Sequence, residues 1–124
     1  MQYRSDTKRV KGLGTAKHGF GHWWMQRLSA VLMIPLGLWF VYSLMSMDSL
    51  APDAVISWLF NPVPALLMAL WVLTVVYHAT LGLQVIIEDY VHDKRTSLTL
   101  LVLLKFAMII MMLASIFSLF KLVS

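Results

Sequence analysis

Three apolar runs limit what this chain can become. A bilayer core of about 30 Å needs roughly 20 apolar residues in helical form, and residues 28–47, 63–87 and 98–122 all reach that length. Inside a membrane only a helix or a closed barrel satisfies every backbone group, and continuous rather than alternating hydrophobicity selects the helix. Composition agrees: 60% of the 124 residues are hydrophobic and 13% are charged, against about a quarter charged in soluble domains. The expected fold is an all-α membrane protein with three transmembrane helices. Residues 1–24 form a leading segment and residues 25–124 the transmembrane domain. With no cysteine, disulfides, thiolate metal sites and thiol nucleophiles are excluded.

The net charge of +4 reads as topology rather than as nucleic-acid binding. Arg4, Lys8, Arg9, Lys11, Lys17 and Arg27 precede or open the first span, and Lys94 and Arg95 lie between the second and third. The 48–62 connection holds Asp48 and Asp53 and no Lys or Arg. Flanking Lys and Arg favour the cytoplasmic side, so the N-terminus is expected inside and the C-terminus outside, with only Lys121 against the trend. The first apolar run is about twice a usual signal-peptide core and is not followed by a small-residue cleavage site, so it is read as a retained helix. Trp23 and Trp24 fit an interfacial aromatic belt. Pro35 is expected to kink the first helix and release the carbonyl of Val31. Pro62 and Pro64 lead into the second helix.

The informative stretch is "HATLGLQVIIEDY", residues 78–90. His78 lies nine residues before the end of its apolar run, about 14 Å in at 1.5 Å per residue, close to the midplane. Ionisable groups at that depth are costly and point to function, although a neutral imidazole can also bond a neighbouring helix as a packing element. Positions 78, 82, 85 and 89 share one helical stripe. Gly82 leaves room beside the histidine for a flat macrocycle, or for close helix packing. A neutral imidazole suits haem iron, but His18, His22 and His92 lie outside or at the edge of the spans, so a second protein ligand has to come from another chain. Asp89 and Tyr90 close the stripe at the membrane boundary, where tyrosine is commonly a belt residue. Its hydroxyl could also hold a quinone carbonyl, with Asp89 orienting it or relaying protons. Arg27 either anchors the helix end or pairs with an anionic group such as a haem propionate. Ser29, two residues on, is not on its face. Lys105 is expected to snorkel to the interface, and Met108, Met111 and Met112 to pack rather than ligate.

"HATLGLQVIIEDYVHDK" and "HWWMQRLSAVLMIPLGLWF" resemble the second and first helices of the small hydrophobic membrane-anchor subunit of succinate dehydrogenase (respiratory complex II), in its proteobacterial form. The family pattern is a haem-ligand histidine, a glycine four residues on, and an Asp-Tyr pair eleven and twelve residues on. His78, Gly82, Asp89 and Tyr90 match it. The resemblance implies a non-catalytic subunit that holds a flavoprotein and an iron-sulfur subunit at the bilayer. It also implies a b-type haem shared with a second cytochrome b-type anchor subunit, one histidine from each. His78 would be this chain's axial ligand and Gly82 would pack against the haem. Tyr90 would hydrogen-bond the substrate ubiquinone with Asp89 in support, and Arg27 would lie near the propionates or the quinone pocket. The N-terminal segment would lie against the soluble subunits. No recognisable transit peptide precedes the first span, which favours a bacterial cytoplasmic membrane. The anchor of a fumarate reductase and a purely structural, haem-free subunit are the alternatives. A transporter is disfavoured because no broken-helix repeat is present.

Overall fold

The computed structural model describes residues 16–124, with side chains from residue 19 onward except that of Val123. Four helices follow one another: α1 (Ala16–Met45), α2 (Pro52–Leu59), α3 (Pro62–Tyr90) and α4 (Lys94–Val123). Within them Gly19–Met45, Pro62–Tyr90 and Lys94–Leu122 are long and apolar enough to cross a membrane. The three expected spans are therefore present, each longer than its apolar run. α1 starts well ahead of residue 28 because residues 16–27 are polar enough to escape an apolar count, yet no proline interrupts them and the helix runs through Gly19 and Gly21. At 30 residues and 1.5 Å per residue, α1 is about 45 Å long, so its first turns project past the hydrocarbon. Pro35 lies inside α1, which is helical on both sides of it.

The connection 48–62, expected as a loop, carries α2. Pro52 fills its first turn and Asp53 places a carboxylate there, both favourable at a helix N-terminus. Eight residues cannot cross a bilayer, so this helix leaves no trace in a search for spans. Leu59 is buried, and the Trp58 ring stacks on Trp39 of α1 with centroids 5.7 Å apart. α2 thus closes that end of the bundle. α3 follows at once, with Asn61 as N-cap residue and proline in its first turn. The turn into α4 is fixed by Asp93, whose Oδ2 accepts from the Thr96 amide (2.8 Å) and hydroxyl (2.6 Å). These two bonds hold its carboxyl below the usual carboxylate range, the hydroxyl contributing most.

α3 is the middle of the layer. It packs against α1 on one side and α4 on the other, and α1 and α4 make no close backbone approach to each other among the described residues. On α1 the positions turned toward α3 are His22, Gln26, Ser29, Met33, Leu36 and Phe40, all buried or half-buried, at the alternating spacing of four and three that keeps one helix face on a neighbour. On α4 they are Ser97, Leu101, Leu104, Met108, Met112, Ser115 and Leu119, all half-buried. Small residues let the backbones approach: a Cβ at Gly37 would stand 3.7 Å from Trp71 Nε1, while Phe40 stacks on the same indole at 4.4 Å.

Among the described residues the buried side chains are Leu36, Leu59, Val76, Leu81, Ser29, Thr74 and Thr80. Three of these carry hydroxyls. Each donates back into its own helix: Ser29 to the Gln26 carbonyl (3.0 Å), Thr74 to Leu70 (2.7 Å) and Thr80 to Val76 (2.8 Å). A hydroxyl that bonds its own backbone can sit at a membrane helix contact without an orphaned donor. The readings made for residues 1–15, including Arg4, Lys8, Arg9 and Lys11 and a contact with soluble subunits, lie outside the described residues. The side chains of Lys17 and His18 do so too.

Candidate functional site

His78 belongs to the α1–α3 seam. Its ring is half-buried, and both nitrogens face α1. Nδ1 lies 2.9 Å from Ser29 Oγ, and Nε2 lies 3.4 Å from Gln26 Nε2. The first distance is a full hydrogen bond. The second is longer than the usual 2.7–3.2 Å for a nitrogen donor, so Nε2 is weakly engaged. Ser29 itself is 7% exposed. The residue that grips the histidine therefore comes from the first helix, at a position the sequence reading set aside.

Gly82 lies one turn beyond His78 on the same face. A Cβ built there would meet Gln26 Nε2 at 3.7 Å and nothing closer. That is ordinary contact with the free end of a flexible side chain, so packing within this chain does not demand a glycine. Close packing within this chain does not by itself account for Gly82. Within 4 Å of that Cβ the group met is the Gln26 amide, the same amide that lies 3.4 Å from His78 Nε2. Any group bound at Nε2 would require that amide to turn aside.

Beyond Gln26 the seam opens into a cleft of about 390 Å³ lined by Gly19, His22, Trp23, Gln26, Gln84, Val85 and Glu88. Gln84 Nε2 donates to Glu88 Oε1 at 2.9 Å. His22 Nε2, Gln26 Oε1 and Gln84 Oε1 are buried and have no hydrogen-bond partner among the described residues. A polar wedge thus runs from the end of the bundle down to His78. It uses the α1 positions 22, 26 and 29, spaced four and three apart. That spacing was the available signal for Gln26 and Ser29. It marks a face of α1 but does not say that this face meets His78 on α3.

The other expected site residues are not drawn to His78. Asp89 and Tyr90 end α3 on its exposed surface, with Tyr90 77% exposed. Arg27 is exposed, one position around the helix from Gln26, and its guanidinium stands 5.4 Å from the centroid of the Trp23 ring, within cation–π range. Trp23 also stacks on Phe20, with centroids 6.3 Å apart. Lys105 is exposed on α4, and Met112 borders an apolar groove with Ser29, Thr74 and Tyr77. Among the described residues no group of three or more His, Asp or Glu side chains could hold a metal ion. The chain on its own offers two imidazoles in the α1–α3 seam, those of His78 and His22, and, about 18 Å from His78 along α3 at standard rise, an exposed acid and phenol.

Comparison with known proteins resolves what kind of chain this is. The succinate dehydrogenase/fumarate reductase transmembrane subunit model matches residues 1–114. This chain belongs to that family. Within it, the succinate dehydrogenase hydrophobic membrane anchor subunit of Rickettsia bellii is 31% identical over 118 residues, covering 95% of this chain and 94% of that protein. The protein of the same name from Paracoccus denitrificans is 31% identical over 90 residues, 73% of this chain and 70% of its own. The succinate dehydrogenase membrane anchor subunit of Reclinomonas americana is 27% identical over 102 residues, 80% and 85% of the two chains. No solved structure gives a significant match. Membership in the family accounts for the three long apolar helices and for a chain whose surface is largely exposed and apolar.

Proposed function

We propose that this chain is a membrane anchor of a succinate:quinone oxidoreductase in a bacterial cytoplasmic membrane. It would hold the flavoprotein and iron-sulfur subunits at the bilayer, share a b-type haem with a second anchor subunit and contribute to the quinone site. The relatives carry the name succinate dehydrogenase, which favours succinate oxidation over the reverse reaction. The observation that carries the haem reading is His78 itself: Nδ1 is held by Ser29 while Nε2 is only loosely engaged, beside a glycine that the chain's own packing does not need. A b-type haem bound there supplies one-electron redox chemistry. His78 would present Nε2 to the iron, Gly82 would leave room for the macrocycle, and the second axial ligand would come from the partner.

The same reading gives the exposed end of α3 its role. Quinone reduction takes up two electrons and two protons. The Tyr90 hydroxyl would donate to a quinone carbonyl, and Asp89 would orient it or pass a proton. Arg27, at the same end, would face the haem propionates or the quinone pocket. Lys94 and Arg95 open α4 at this end, and Asp48 and Asp53 lie toward the other. Under the positive-inside bias this supports an N-in, C-out orientation with the quinone end cytoplasmic.

One observation favours a second reading. Both imidazole nitrogens have a partner within the chain, as a haem-free packing histidine would. The deciding experiment is a visible spectrum of the purified complex before and after dithionite. The expected result is a low-spin bis-histidine b-type spectrum that is lost or becomes high-spin in His78→Ala. An unchanged spectrum in that variant removes His78 as ligand. A complex that retains flavin and iron-sulfur subunits with no haem at all selects the packing role.

A further inference from the structure

Ser29 has one proton and two close partners. Its Oγ stands 3.0 Å from the Gln26 carbonyl oxygen and 2.9 Å from His78 Nδ1. A carbonyl oxygen can only accept, so in this bond the serine hydroxyl is the donor. Toward His78 the same oxygen can then only accept. Nδ1 must therefore carry the imidazole proton, and Nε2 must carry the lone pair. The longer Gln26 contact at 3.4 Å is compatible with this, because an amide NH2 group only donates and the Gln26 nitrogen lies beside Nε2. The Ser29 contact thus points to one tautomer of the ring.

We infer that Ser29 is a positioning residue for the iron ligand. It fixes His78 as the Nδ1–H tautomer, sets the ring's rotation and directs the Nε2 lone pair toward the position of the iron. Gln26 guards that lone pair until the haem is bound. This rests on the reading of His78 as an axial ligand. The physical basis is general: a ligating histidine that donates its other N–H becomes more basic and is locked in orientation, and loss of such a partner costs about 10–100-fold in metal affinity. A more basic ligand favours ferric over ferrous iron, so Ser29 lowers the haem potential. The site suits this task. Ser29 is buried in the seam, so water does not compete for Nδ1–H, and its hydroxyl is aimed by the backbone of its own helix.

The test uses the intact complex with Ser29→Thr, which keeps a hydroxyl, and Ser29→Val, which has nearly the same shape without one. The readouts are haem retention under competition with apomyoglobin and the midpoint potential of the haem. Ser29→Val is expected to lose haem about 10–100-fold more readily and to show a raised potential, while Ser29→Thr stays close to wild type. Equal retention and potential in Val and Thr variants overturns the inference, provided His78→Ala abolishes the low-spin spectrum. Assembly of the Thr variant with failure of the Val variant to assemble also overturns it, since the hydroxyl would then serve the seam rather than the ligand. A bis-histidine spectrum that survives His78→Ala instead removes the haem reading beneath both.

Discussion

His78 and Tyr90 lie on one helix and about three turns apart, yet the chain treats them in opposite ways. At His78 two side chains from α1 engage both ring nitrogens, and one of them is buried. At Tyr90 the ring is 77% exposed on the last turn of α3. A ligand to iron has to present one lone pair in one direction, and that geometry is fixed by a neighbour in the same chain. A donor to a mobile substrate needs only to reach a surface that other subunits complete. In the proposed function the first group is therefore preset by the chain, and the second is set by assembly.

The strongest way to break this contrast is to fill the space over Gly82. A single Cβ meets only a flexible amide at 3.7 Å, so Gly82→Ala is expected to assemble normally. Gly82→Leu would overfill a haem pocket at about 1–3 kcal/mol, up to about a hundredfold in haem affinity. Haem-to-flavin ratios in the purified complexes measure it, and full haem content in the leucine variant would show that no macrocycle lies there. Next in size, Tyr90→Phe removes one hydrogen bond to quinone. Succinate:quinone turnover is expected to fall about tenfold, the scale of a lost hydrogen bond at a polar site, with the haem spectrum and succinate oxidation by an artificial acceptor unchanged. Normal quinone kinetics would leave Tyr90 as a belt residue.

The smallest effect concerns the turn behind Tyr90. Asp93 binds its proton less readily in the folded chain than in the unfolded one, because Thr96 donates two hydrogen bonds to the carboxylate. Its contribution to stability is present above the ordinary carboxylate value and fades as pH falls through the lower, folded value. Asp93→Ala should speed amide hydrogen exchange in the first turn of α4 at neutral pH and bring little further loss on acidification. Haem content should not respond. A change in quinone kinetics in that variant would mean that the turn positions Tyr90 after all, and would narrow the contrast between the two ends.

The helices and the α3 stripe were legible in the sequence for separate reasons. Apolar length reports the bilayer directly, and the spacing of His78, Gly82 and Asp89 follows from helix geometry alone. Ser29 and Gln26 were not read as site residues because their role depends on which face of α1 meets α3, and no single helix encodes that. The alternating spacing of His22, Gln26, Ser29, Met33 and Leu36 marked a face but named no partner. α2 was missed because Pro52 and Pro62 bracket a helix too short to span. Likewise the first turns of α1 are helical without being apolar, so the helix outruns the span.

The layer of three long helices has a consequence for the life of the chain before it assembles. No residue of the α4 span is buried, and α1 and α4 flank α3 without closing on each other. In lipid, helices gain nothing by hiding apolar surface from one another, since acyl chains solvate it equally well. A solitary copy is thus dissolved rather than denatured, and in the proposed function the second anchor subunit would compete with the bilayer as one solvent against another. What would tip that exchange is a polar or cofactor contact that the two chains hold in common.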